Sequence, residues 1–227
     1  MKVMPFSLTD GTSWNFNIKR VVNGGFSGRN QEAVWAHIEE LEKIGVKRPE
    51  KTPTFYPVPS NSLLFDDDIQ VVGKENSTEI EYVLLYSSQG LFVALGCDHT
   101  DRELEVISIP KSKLAYPNII SREVWDYEEI KEHWDQIQIR CWLGEGRKTL
   151  YQEGTLASIM PPEELLDYVQ KLISEDLEGT VLFSGTLASL TEGIAFSRLI
   201  EGEMYDPVLN RRLSLKYGVE PITWFKE

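Results

Sequence analysis

The stretch from Glu79 to Asp98 constrains the fold more than any other part of the chain. Two apolar-rich runs, Glu79-Ile-Glu-Tyr-Val-Leu-Leu-Tyr86 and Leu91-Phe-Val-Ala-Leu-Gly-Cys-Asp98, flank the polar segment Ser87-Ser-Gln-Gly90. Runs of this kind around a short glycine-bearing turn signal a β-hairpin. With Tyr86 facing Leu91, Glu81 lies opposite Gly96 and Glu79 opposite Asp98. Side chains alternate between faces, so Glu79, Glu81 and Asp98 project from one face, which Val83 and Leu85 continue towards the turn. A slip of one residue would turn them all to the other face.

Two carboxylates about 5 Å apart repel by roughly 3 kcal/mol at an effective dielectric near 20. A hard divalent cation, Mg2+, Mn2+ or Ca2+, is the simplest group that would neutralise three of them. Gly96 is expected to leave room beside Glu81 for the ion. The alternative is a solvated face on which the acidic groups repel little.

Turn and capping signals divide the rest of the chain. Residues 14–22 read as a strand, broken by Asn23-Gly24-Gly25. Residues 30–44 read as a helix, with Asn30 as N-cap and Gly45 as the stop. Pro49, Pro53, Pro57 and Pro59 make residues 46–61 an extended surface loop. Residues 62–65, 69–73 and 180–183 read as strands, and 127–134 as a short helix. Hairpins are expected at 136–143 with 148–152 and at 200–204 with 212–217. Residues 161–173 form an amphipathic helix burying Leu165, Leu166, Val169, Leu172 and Ile173. Strands dominate and helices are few, so the class is a β-rich α+β domain.

The net charge of −13 disfavours nucleic-acid backbones and anionic membranes. No apolar run approaches the roughly 20 residues of a membrane helix. The first ten residues lack the features of a signal peptide. Two isolated cysteines, Cys97 and Cys141, suggest a reducing, cytoplasmic setting and read as buried small hydrophobes.

In the first helix, Val34, Ile38, Leu41 and Ile44 mark an apolar arc. His37 falls inside it and Glu40 at its edge, three positions on and within reach. An inward histidine beside a carboxylate suits a general base held in one tautomer. A core histidine with a surface ion pair fits the same pattern. His99 either lines the carboxylate site or caps a turn. His133, in a polar helix, is expected to be exposed.

Further motifs stand in order along the chain: Gly28-Arg29-Asn30, His37-Ile-Glu-Glu40, Phe55-Tyr56-Pro57, Glu79-Ile-Glu81, Cys97-Asp98-His-Thr-Asp-Arg102-Glu-Leu-Glu105, and Leu177-Glu-Gly-Thr-Val-Leu-Phe-Ser-Gly185-Thr186. Together they resemble the fumarylacetoacetate hydrolase superfamily, and within it an uncharacterised bacterial branch with no assigned reaction. The resemblance spans about residues 23–222. It implies a mixed β-sandwich roll with a few peripheral helices. Residues 1–227 would form one domain: 1–60 a strand, helix and lid, 61–227 a metal-binding β core.

The resemblance assigns Glu79, Glu81 and Asp98 to Mg2+ or a similar ion (Mn2+ or Ca2+), with no organic cofactor. It implies His37 and Glu40 as the water-activating pair, and Lys113, or else Lys111, as the catalytic lysine. Arg102, Tyr56, Gly185 and Thr186 would contact the substrate, the last two through its carboxylate. The chain departs from the family pattern at Glu105, where the family has glutamine, at Leu187 for proline, at Thr180 for aspartate, and in the spacing before His37. Asp101 or Glu105 would be a further acid near the metal.

The implied activity is metal-dependent hydrolysis of a carbon–carbon bond in a small carboxylated β-dicarbonyl or 2-keto acid, by a cytoplasmic homodimer. Decarboxylation, isomerisation or hydration fits the same scaffold. A non-catalytic module holding a metal-bound carboxylate, or a plain structural β-domain, is the alternative of another class.

Overall fold

Hydrogen bonding sets the hairpin in the expected register: Tyr86 faces Leu91, Glu81 faces Gly96, and Ser87 faces Gly90 across the turn. The Asp98 amide donates to the Glu79 carbonyl at 3.0 Å, extending the ladder one step further. The structure is a computed structural model and describes residues 2–43, 45–65, 68–191, 193 and 195–225.

The hairpin strands, Ile80–Ser87 and Gly90–Asp98, occupy the middle of a ten-stranded sheet. On one side follow Thr180–Phe183, Arg20–Gly25 and Thr54–Val58; on the other Glu123–Asp126, Lys2–Leu8 and Ser13–Ile18. Asn118–Ile120 joins Gly90–Asp98 to the short strand Leu63–Phe65. A second, five-stranded sheet runs in the order Thr149–Thr155, Gln138–Leu143, Leu199–Asp206, Arg211–Pro221, Ile69–Val71.

Both faces of the hairpin are buried. Ile80, Tyr82, Leu84, Val93, Leu95 and Cys97 pack towards the five-stranded sheet, against Ile139, Cys141, Leu213 and Tyr217. Val83, Leu85, Phe92 and Ala94 face a second core with Phe6, Trp14, Phe16, Val181 and Phe183. The large sheet curls, bringing the Trp14 ring to 4.3 Å from Phe92. At Gly202 the five-stranded sheet comes so close that an added Cβ would lie 2.5 Å from Ile80 Cδ1. The fold is a strand-rich α+β roll with few helices.

Several expectations change. The proline-rich stretch is not all loop, because Thr54–Val58 pairs with Arg20–Gly25. It lies at a sheet edge, where Pro57 can leave a donor out of the ladder. The strand expected at 14–22 divides into Ser13–Ile18 and Arg20–Gly25. Lys2–Leu8 is a further strand, and Arg102–Ile107 and Ile109–Ala115 are two short helices. The amphipathic helix spans Pro162–Gln170, ending before Leu172, which is 56% exposed. His133 is not exposed: it packs against buried Asp206, with Nε2 3.0 Å from Oδ1. The first helix, Gln31–Lys43, is capped as expected. Asn30 Oδ1 accepts from the Ala33 amide, Gly45 takes φ 96°, and the Val46 amide reaches back to the Leu41 carbonyl. Ile44 lies outside the described residues.

Candidate active site

Glu79, Glu81 and Asp98 offer carboxylate oxygens that all lie within 4.8 Å of one another. The hairpin register causes this: Glu79 and Glu81 are two apart on one strand, and Asp98 comes across the turn. Gly96 does not provide the space. A Cβ there would meet Val83 Cγ2 at 2.4 Å and Phe183 at 2.7 Å, so the gap beside Glu81 is filled by core side chains.

The three carboxyls are held differently. Glu79 takes Lys113 on one oxygen and Arg102 Nη2 on the other, the latter at 2.8 Å. Burial alone would raise its pKa, but the Lys113 and Arg102 charges outweigh burial and bring it down to about 2. Glu81 is fully buried and accepts the Gly185 amide on Oε2 at 2.8 Å, while Oε1 has no hydrogen-bond partner among the described residues. Burial, then the Asp98 and Glu79 charges, push Glu81 well above the ordinary range. Asp98 is also fully buried. Its Oδ2 stands 2.8 Å from Lys113 Nζ as an ion pair without hydrogen-bond alignment, and neither oxygen has a hydrogen-bond partner among the described residues. Burial raises Asp98 to about 6 in spite of Lys113.

The helix Ile109–Ala115 presents Lys113, buried and donating to Thr100 Oγ1 at 2.9 Å. Arg102 opens the helix Arg102–Ile107 and uses each of its three nitrogens: Nε on Ser77 Oγ, Nη2 on Glu79 and Nη1 on Glu105, each at 2.8 Å. In this shell four carboxylates, Glu79, Glu81, Asp98 and Glu105, meet two cationic groups, Arg102 and Lys113. One divalent cation would balance them. Buried carboxylate oxygens without partners, in an all-oxygen donor set, fit a hard ion.

A cavity of about 700 Å³ opens over this cluster. Its lining includes Glu79, Arg102, Glu105, Lys113, Tyr56, Gly185, Thr186 and His37. The inward histidine is not found. The His37 side chain is 60% exposed at the cavity wall, 3.6 Å from Glu40, itself 73% exposed. Its helix buries Ile38, while Val34 and Leu41 are half-buried, so it rests on the surface rather than in the core. Thr186 donates its hydroxyl to the Ile80 carbonyl and accepts from Gln152 Nε2.

Asp101 is not a neighbour of the cluster: it caps its helix on the Leu104 amide and accepts from Tyr116. His99 is buried between Tyr217 and Asn76, and burial lowers its pKa to about 3. Two features around the site went unread in the sequence. Gln152 clamps the 185–187 turn, binding Thr186 and the Leu187 carbonyl and accepting from the Ile80 amide. Asn118, opposite Asp98, exchanges amide hydrogen bonds with buried Asn23. Both depend on long-range pairing, which no local motif signals.

No curated protein matches this sequence. Among solved structures, a yeast fumarylacetoacetate hydrolase family protein superposes with a TM-score of 0.65 at 19% identity, covering 92% of this chain and 97% of its own. A Yersinia pestis protein ascribed to that family gives 0.68 at 14% identity, covering 94% and 100%. A 2-keto-3-deoxy-D-arabinonate dehydratase complexed with magnesium and 2,5-dioxopentanoate gives 0.63 at 17%, covering 90% and 74%. These likenesses establish the fold. Residues 24–217 match the profile described as protein of unknown function DUF2848, and the chain belongs to that family, on the fumarylacetoacetate hydrolase fold.

Proposed function

We propose that this chain is a divalent-metal-dependent enzyme that hydrolyses a carbon–carbon bond in a small carboxylated β-dicarbonyl or 2-keto acid. The observation that carries the reading is the set of buried carboxyl oxygens without hydrogen-bond partners among the described residues, on Glu81 and Asp98, beside Glu79, which lines the cavity. Glu79, Glu81 and Asp98 would hold Mg2+ or a similar ion. Such an ion, when bound, supplies Lewis-acid charge to the substrate's oxygens.

The chain's own residues do the rest. Lys113 sets a fixed positive charge beside the reacting end and favours the anionic form of the substrate. Arg102 holds Glu79 in place. Gly185 fixes Glu81 through its amide, and Gln152 and Thr186 hold that turn. Tyr56 borders the cavity and closes part of it to water. His37, steadied by Glu40, would take the proton of an attacking water once the first helix closes over the cavity.

The exposure of His37 favours a second reading on the same scaffold. A reaction that needs no activated water, such as decarboxylation, isomerisation or dehydration, would proceed with the helix less tightly placed. The assembly proposed is a homodimer, and its sedimentation should exceed that of a 26.0 kDa species.

A screen of acylpyruvates, oxaloacetate and other 2-keto acids with Mg2+ or Mn2+ tests the proposal, with Glu81→Gln as control. Metal-dependent turnover lost in the control supports it. Absence of both turnover and any metal effect on melting would overturn it.

A further inference from the structure

The cavity's charged lining bears on which 2-keto acid fits. Besides the Tyr56 phenol, its ionisable side chains are Arg29, His37, Glu79, Arg102, Glu105 and Lys113. Each arginine and lysine among them is already committed to protein carboxylates. Arg29 forks onto both oxygens of Asp135 at 2.8 Å. Lys113 bridges Glu79 and Asp98. Arg102 spends Nε on Ser77, Nη2 on Glu79 and Nη1 on Glu105. His37 is paired with Glu40. A second carboxylate on a substrate would therefore meet no uncommitted cation among the described lining residues, and would meet the Glu105 carboxylate instead.

We propose that Glu105 determines specificity: it makes the cavity reject a 2-keto acid with a carboxylate tail and accept one with a hydroxyl tail. The inference rests on the function proposed above. A tail carboxylate could reach Arg102 only through its second Nη hydrogens, and would share the one guanidinium with Glu79 and Glu105. That would press a further negative charge against Glu105, 17% exposed, in a shell already rich in acids. Discrimination by an unpaired or repelled charge of this kind is how sites exclude a close analogue. A hydroxyl has the opposite effect. It donates to the carboxylate, a charge-assisted hydrogen bond, and leaves the Arg102–Glu105 pair in place. Glutamine at this position would keep an acceptor for Arg102 but remove the negative charge, and Arg102 could then turn to an anionic tail.

Binding of three five-carbon probes, 5-hydroxy-2-oxopentanoate, 2-oxopentanoate and 2-oxoglutarate, tests this by calorimetry with saturating Mg2+. The hydroxyl-tailed acid should bind wild type at least about tenfold more tightly than 2-oxoglutarate, and the methyl-tailed acid should fall between them. In Glu105→Gln the ratio between the first and last should shrink by about tenfold or invert. A wild-type ratio within about threefold, or one favouring 2-oxoglutarate, overturns the inference. So does an unchanged ratio in a Glu105→Gln protein that melts cooperatively. Should that variant not fold, the wild-type ratio decides. If none of the probes binds, the keto-acid function itself falls and this inference with it, an outcome distinct from binding without discrimination.

Discussion

Glu81 and Asp98 differ from Glu79 in what holds them. Glu79 is clasped by two cations, whereas Glu81 has one backbone amide and Asp98 an ill-aligned ion pair. Replacing Glu81 by Gln removes a buried acid whose ionised form is disfavoured there, without changing shape. The metal-free protein should melt at the same temperature or higher, and the gain in melting temperature on adding Mg2+ or Mn2+ should vanish. Lys113→Ala should have the opposite metal-free effect, because it leaves buried Asp98 without its cation and Glu79 with Arg102 alone; a loss of about 3–5 kcal/mol in denaturant unfolding is expected. Far from the cavity, Asp206 supplies a pH-dependent contribution. Burial would raise its pKa, but His133, 3.0 Å away, and the hydrogen bonds from the Val208 and Leu209 amides outweigh burial and lower it. An acid lowered in the folded state stabilises above its unfolded pKa, about 3.9, and loses that contribution as pH falls below it. Asp206→Asn should therefore cost about 1–3 kcal/mol at neutral pH and progressively less near pH 3, read from unfolding curves at both.

At the scale of elements, the helix Gln31–Lys43 stands apart from the hairpin strands, which are buried on both faces. With Ile38 as its one buried residue, its opening should need far less than global unfolding. Amide exchange across residues 31–43 should be faster than across residues 80–98, and should slow when a metal and a 2-keto acid are bound. Equal protection in the free protein would count against a closing lid. The same contrast explains what the sequence made legible. The hairpin register could be read because a short glycine-bearing turn fixes it, which brought Glu79, Glu81 and Asp98 together in advance. The edge strand Thr54–Val58 could not, because its prolines mimic a loop and its partner, Arg20–Gly25, is distant in sequence. The helices Arg102–Ile107 and Ile109–Ala115 were too short to show a period, although they carry Arg102 and Lys113. His37 was placed inward from its apolar arc, but the arc meets a cavity rather than a core.

At the scale of the whole molecule, the acidic cluster should couple folding to metal. An ion that binds the folded chain alone, at a free concentration one hundred times its Kd, adds about 2.7 kcal/mol to stability. Chelation should return that amount, and a melting temperature unmoved by chelator or by added Mg2+, Mn2+ and Ca2+ would argue against the site. The two sheets also tie the site to a residue well away from it. Gly202 lies on the sheet opposite the hairpin, where a methyl group would press on Ile80. Ile80 separates Glu79 from Glu81 in sequence and points to the other face of their strand. A single carbon atom added at position 202 would thus act as a lever, with the strand backbone as its fulcrum and the two carboxylates at its far end. A survey of substitutions scored for metal affinity should therefore find that Gly202→Ala weakens metal binding although position 202 touches neither ion nor ligand.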